Sequence, residues 1–198
     1  MSATGGTVPD RPHIGGGVVG LDLSLTGTGI ADTHGLTRVL KTGGLEGMGR
    51  IEYIRRAILD NLTPSVDAVF IEGYSFGSQW NLAQLGELGG VVKLTIWTLG
   101  IVYYTIAPNS LKKFATGNGR ATKEEVVANA RERLGYEGYD NNAADALWLW
   151  TLGRAYLGDD TVKLPKAHTD ALKGIAETAQ HAGRTGNVIT VTDPKGRI

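Results

Sequence analysis

"VVGLDLSLTGTGIA", residues 18–31, is an apolar run broken by one carboxylate, Asp22, and followed at once by the hydroxyls of Ser24, Thr26 and Thr28 and by Gly27 and Gly29. The apolar part reads as a buried strand over 18–23. Gly27 and Gly29 permit a tight turn into a second strand over 29–32, and "THG" at 33–35 turns the chain again into a third over 36–42. An antiparallel meander therefore opens the fold. An acid at the end of a buried strand is costly unless something compensates its charge, so Asp22 requires a partner.

Working outward, Met48, Ile51, Ile54, Ile58 and Leu62 recur at steps of three and four and predict a helix over 46–61. "VDAVFIEG" at 66–73 returns to a buried strand. A helical crossover between strands makes this one parallel to the first. Residues 79–99 carry Leu82, Leu85, Leu88, Val92, Ile96 and Leu99 along one side of a long helix, with Gly86, Gly89 and Gly90 inside it. Such glycines cost helix stability unless another element packs closely against them. "IVYYTIAP" at 101–108 is a fifth strand, stopped by proline. A short helix, a glycine loop at 116–120, a helix over 122–134 and a last helix over 141–157 complete the pattern. The predicted class is α/β, a mixed five-stranded sheet with helices on both faces.

The 198 residues, 41% of them hydrophobic, suffice for one substantial core. Gly, Pro, Ser and Thr dominate 1–16, which reads as a disordered leader before a domain over 17–157, with an extension over 158–198 of no evident role. With no cysteine, thiolate metal sites are excluded and oxygen or histidine ligands remain. Twenty basic residues balance twenty acidic ones, so a nucleic-acid partner must be argued from a local patch. No run approaches a membrane span and the N-terminus lacks a signal-peptide pattern, so an intracellular, cytoplasmic protein with no membrane partner is expected.

Two more acids stand at comparable places. Glu72 ends "VFIEG", and Asp145 lies in the first turns of the final helix within "NNAADALWLW". Adjacent parallel strands would set Asp22 beside Glu72 at one edge of the sheet. Three converging carboxylates repel one another without a cation, and an all-oxygen set suits magnesium or manganese. Residues 109–123 hold Lys112, Lys113, Arg120 and Lys123 and no acid, a local charge of +4 that makes a phosphate track.

"GLDLSLTGTGIA", "VFIEGYSFGS", "APNSLKKFATGNGRATKEEVV" and "NNAADALWLW", in this order and at these separations, resemble the RuvC-type Holliday junction resolvases of the RNase H-like nucleases. The resemblance spans about residues 17–157 and includes Pro108, Lys112, Gly117, Gly119, Ala121, Lys123 and Val126 in the basic segment. It implies an RNase H-like fold and a homodimeric endonuclease that resolves four-way DNA junctions by paired nicks, with two magnesium or manganese ions at each site. Asp22, Glu72 and Asp145 match metal-binding acids of the family. Lys123, on the first turn of a helix after the glycine loop, would approach the scissile or a neighbouring phosphate as a catalytic residue, unless it is a solvated helix-start lysine. The fourth metal position, commonly Asp or His, is Asn142 here. Asparagine offers a neutral carbonyl and no base, and Asp140 is the other candidate, unless it is the N-cap of the last helix. Tyr74 and Phe76 stand where an aromatic meets opened DNA, unless they pack in the core. The stripe Leu85, Gly86, Leu88, Gly89, Val92 and Ile96 falls on the dimer-forming helix, though packing on its own sheet would use the same residues.

Trp148 and Trp150 lie two apart on a helix, so one is expected in the core and the other partly exposed. His168 and His181 are expected to be solvated, on a possible amphipathic helix over 167–181. A broader branched-DNA nuclease and a non-catalytic DNA-binding protein of the same shape stay open. So does an actin-like phosphate-binding (ATPase or kinase) domain, whose first hairpin "DLSLTGTG" also resembles.

Overall fold

The computed structural model describes residues 17–74, 82–173 and 175, and the backbone of 179–180. The opening stretch forms β1 (Gly17–Asp22), β2 (Gly27–Ala31) and β3 (Thr37–Lys41). The chain continues through α1 (Gly47–Leu59), β4 (Val66–Glu72), α2 (Leu82–Thr98), β5 (Val102–Ile106), α3 (Pro108–Thr116), α4 (Lys123–Leu134) and α5 (Asn141–Tyr156). The sheet order is β3-β2-β1-β4-β5-β6, with β1, β4 and β5 parallel and the meander antiparallel. The five expected strands are joined by a two-residue β6 (Ala179–Gln180), antiparallel to β5. The expected leader lies outside the described residues.

Alternation along the strands divides the core in two. Val19, Leu21, Val69 and Ile71 face α1 and α2, packing with Ile54, Ile58, Leu88, Val92 and Ile96. Val18, Ala68, Phe70, Tyr104 and Ile106 face the other way, onto Phe114, Val126, Trp148 and Leu152 of α3, α4 and α5. Each such side chain taken fully out of water contributes about 1.5–3 kcal/mol. Because side chains alternate with period two, Asp22 shares the face of Gly20, and Glu72 that of Phe70. Both acids therefore point to the side that α5 covers.

Gly20 and Gly29 are what let α5 come so close. A Cβ on Gly20 would fall on the carbonyl oxygen of Ala146, and one on Gly29 on that of Asn142. The helix backbone thus lies directly on β1 and β2, which no larger residue at either position permits.

Two expectations are corrected. On α2, Leu88, Gly89, Val92 and Ile96 do not face outward to a second copy. They are buried against this chain's own sheet, and a Cβ on Gly89 would collide with the Tyr74 hydroxyl. A stripe at helical spacing fits a sheet as well as another helix, and the sheet has taken it. Leu85 is half-buried at the sheet edge, while Gly86, Gly90, Leu94 and Trp97 form the exposed side. His168 is also not solvated: only 5% of it is exposed, and it lies on a four-residue α6 (Lys166–Thr169) followed by a 3-10 turn at Asp170–Leu172, in place of a longer helix. Trp148 is fully buried, as one of the pair was expected to be, and Trp150 partly so. His181 lies outside the described residues. Among those described, no helix is long and apolar enough to cross a membrane.

Candidate active site

Three elements deliver three acids to one point. Asp22 and Glu72 stand one residue beyond the paired Leu21 and Ile71 on neighbouring parallel strands, and α5 brings Asp145 over them. One oxygen from each carboxylate lies within 4.8 Å of the other two. The helix start is fixed by Asp140, the N-cap of α5, whose Oδ1 accepts from the backbone N–H of Asn142 at 2.9 Å and of Ala143 at 3.3 Å.

Burial and mutual repulsion hold all three acids above the ordinary carboxylate range. For Asp22 the main cause is desolvation, offset in part by a hydrogen bond with Glu72 and by the charge of Lys123. Glu72 is pushed up by desolvation first, then by the charges of Asp22 and Asp145. Asp145 rises to about 7, by desolvation and the charge of Asp22. Such a donor set, oxygen-only and short of positive charge, fits a divalent cation, which would remove both the desolvation cost and the repulsion.

A pH dependence follows. A raised folded-state value means the native chain keeps protons that the unfolded chain has released, so stability contributed by these groups is lost as pH rises towards the folded values. The metal-free melting temperature should rise as pH is lowered from about 8 to about 5.5. A saturating divalent cation should raise it more at the higher pH. Differential scanning fluorimetry at both values, with and without chelator, checks the sign.

The acids open into a cavity of about 310 Å³ lined also by Ser24, Tyr74, Leu85, Lys112, Lys123 and Asn142. Lys123 is the first residue of α4, held by a capping box in which Thr122 accepts from the Glu125 backbone N–H and Glu125 accepts from that of Thr122. Lys112 comes from α3. Tyr74 is half-buried, with Lys93 Nζ 5.5 Å from its ring centre. Lys113 and Arg120 do not line the cavity. Lys113 lies near Asp170, whose carboxyl is held below its usual range chiefly by a hydrogen bond from Lys173 and partly by the Lys113 charge. Arg120 stands exposed in the turn after α3. Phe76 lies outside the described residues.

Of the two candidates for a fourth ligand, Asn142 lines the cavity and Asp140 does not. Asp140 caps α5, and its second oxygen is 3.5 Å from Lys41 Nζ. The Asn142 amide nitrogen donates to the Gly27 carbonyl at 2.5 Å. Changing Asn142 to Asp adds a carboxylate at the rim, and the divalent-cation concentration at half-saturation should fall about tenfold, as one added charge at close range warrants. Isothermal titration on DNA-free protein measures it, and an unchanged value removes Asn142 from the cation's surroundings. Lys41 was not singled out from the sequence, and Ser24 entered only as one of the hydroxyls that follow Asp22. Lys41 faces Gly27 in the β2–β3 register, so the hairpin pairing was the signal that could have found it.

A β3-β2-β1-β4-β5 sheet with acids at the ends of β1 and β4 and on the covering helix defines an RNase H-like nuclease fold. No family model matches the chain. Over 106 residues it is 33% identical to the crossover junction endodeoxyribonuclease RuvC of Neorickettsia sennetsu, covering 52% of this chain and 62% of that protein. Over 146 residues it is 30% identical to RuvC of Anaeromyxobacter sp. strain K, covering 72% of this chain and 75% of that one. The structure of Thermus thermophilus RuvC in complex with Holliday junction substrate superposes with a TM-score of 0.58 at 26% identity, over 72% of this chain and 96% of that chain. The chain belongs to the RuvC crossover junction endodeoxyribonuclease family.

Proposed function

We propose that this protein is a divalent-cation-dependent endonuclease that resolves four-way DNA junctions by paired nicks, using magnesium or manganese. The observation that carries the reading is the meeting of Asp22, Glu72 and Asp145 within 4.8 Å beside Lys112 and Lys123. The match to a RuvC in complex with Holliday junction substrate supports the choice of DNA. Asp22, Glu72 and Asp145 would hold the ions, with the Asn142 carbonyl at the rim. Ions bound there would supply an activated water and positive charge for the leaving 3′ oxygen. The chain's own part is positional. Lys123 and Lys112 neutralise the phosphate at the cleft, the buried acids fix where it stops, and Tyr74 walls the side next to α2.

The test compares cutting of labelled four-way junction, flap and linear duplex in magnesium, with ATP hydrolysis assayed in parallel. Nicks on opposed junction strands, with duplex spared, support the reading. Equal cutting of flaps makes it a general branched-DNA nuclease, junction binding without cutting a scaffold, and ATP consumption without cutting an actin-like domain.

Paired nicks need two sites related by a two-fold axis, which an isologous homodimer supplies. We place that contact on the exposed side of α2, where Leu94 is 60% and Trp97 41% exposed and Gly86 and Gly90 allow close approach. Light scattering should give twice the chain mass for the wild type. Leu94→Asp, which would place an unpaired charge in the contact, should give a monomer that nicks one strand without the paired second cut.

A further inference from the structure

The segment after α5 crosses the outside of α3. Ala171 and Ile175 are buried in the same core as Leu111, Phe114 and Ala115, and β6 then pairs with β5. His168 is carried into the protein just ahead of these anchors. Its ring lies against Gly117, where a Cβ would come within 3.3 Å of Nε2, and its Nδ1 is 2.8 Å from the carbonyl oxygen of Phe114.

That carbonyl has a specific need. At the end of α3 the Gly117 N–H returns to the Lys113 carbonyl at 2.8 Å, in the left-handed conformation at φ 80° that stops the helix. The next amide, Asn118 N–H, would ordinarily go to Phe114, but it donates to the Thr116 hydroxyl at 3.1 Å. Phe114 O is thus one of the orphan carbonyls of a helix end, and His168 is the group that satisfies it. A carbonyl only accepts, so Nδ1 must carry the proton.

Local hydrogen bonds run along most of the chain from this point to the cleft. Arg120 N–H donates to Asn118 Oδ1 at 3.0 Å, Ala121 N–H to Asn118 O at 3.1 Å, and Thr122 N–H to Glu125 Oε2 at 2.7 Å, which starts α4 at Lys123. One turn back along α3 stands Lys112. Phe114 itself packs edge-on against Trp148 of α5, at 5.9 Å, and Trp148 Nε1 donates to the Val126 carbonyl of α4.

We propose that His168 is a positioning residue for the phosphate-binding side of the cleft. Supplied by the C-terminal extension, it closes the end of α3 and so fixes the turn that sets Lys112 and Lys123 at the acids. This inference rests on the reading of the cleft as a DNA-phosphate site, and gives the extension a part in substrate binding.

The experiment has three measurements on the full chain. First, nitrogen-15 NMR of the wild-type imidazole should show Nδ1 protonated. Second, His168→Ala should weaken metal-free binding of a labelled four-way junction about tenfold and raise the half-saturating DNA concentration for cleavage alike, with kcat within about twofold, as the loss of one buried hydrogen bond acting on binding predicts. Amide exchange at residues 118–121 should quicken. Third, His168→Asn, whose amide nitrogen can take the place of Nδ1, should restore binding and slow exchange, while His168→Gln should not. A wild-type ring protonated on Nε2 alone, an alanine variant with unchanged binding and exchange, or equal rescue by glutamine and asparagine overturns the proposal. Should the alanine variant fail to fold, the asparagine–glutamine contrast and the wild-type tautomer decide. A wild type that binds no junction DNA defeats the functional reading instead, and the tautomer and exchange data still decide whether His168 closes α3.

Discussion

Asp22→Asn is expected to lower junction cleavage by at least about a thousandfold while leaving DNA binding no weaker than in the wild type. The amide keeps the shape of the side chain and removes the charge that would hold a cation at the end of β1. Asp22 is buried at the meeting point of the three acids, with only 9% of its surface exposed, so no water-borne counter-ion can replace it cheaply. The same burial predicts what the change does to the fold. Asp22 raises the proton affinity of both Glu72 and Asp145, so a neutral residue relieves repulsion in the metal-free protein. Its melting temperature at about pH 8 should be no lower than that of the wild type. Loss of cutting together with loss of folding would make Asp22 a structural residue. Single-turnover cleavage and thermal melting on the same sample separate the two.

Gly29→Ala is the second large effect, and it acts without touching an acid. Its Cβ would fall on the Asn142 carbonyl oxygen, backbone that cannot swing aside as a side chain does. The variant must therefore push the start of α5 off the sheet. We expect a loss of about 3 kcal/mol, or roughly 10 °C in melting temperature. Because Asp145 rides on the same helix, cation affinity should fall too. An alanine variant as stable as the wild type, with an unchanged cation titration, would show that the close approach of α5 to β2 does not set the site.

The two glycines and the acids differ in how legible they were. Asp22 and Glu72 announced themselves because each ends an apolar strand, and the helical crossover between those strands implied that they are neighbours. The β1–β4 register bears that out. Asp145 could be placed on the final helix, but its approach depends on Gly20 and Gly29, of which the sequence read Gly29 only as a turn former and gave Gly20 no role beyond its strand. Helix capping explains the fate of Asp140: a side chain that satisfies two backbone N–H groups and faces Lys41 has been taken from the cavity. The stripe on α2 was visible, but which surface it would cover was not, since a sheet and a second helix accept the same spacing. His168 was misread for a related reason. Its isolated α6 has no periodicity from which burial could be inferred, and the orphan carbonyl that it serves exists only once α3 has ended at Gly117. The basic segment shows a similar limit: Lys112 and Lys123 reach the cavity, whereas Lys113, one position along α3, is turned about 100° away from it, near enough to Asp170 for its charge to act there.

The central claim is that the Asp22, Glu72 and Asp145 cluster cuts junction DNA with a divalent cation. Single-turnover reactions with a labelled four-way junction, run across a magnesium titration and in EDTA, test it most directly. The account predicts symmetric nicks that appear with magnesium and vanish in EDTA. A junction left whole at every magnesium concentration, or cut equally in EDTA, would contradict it.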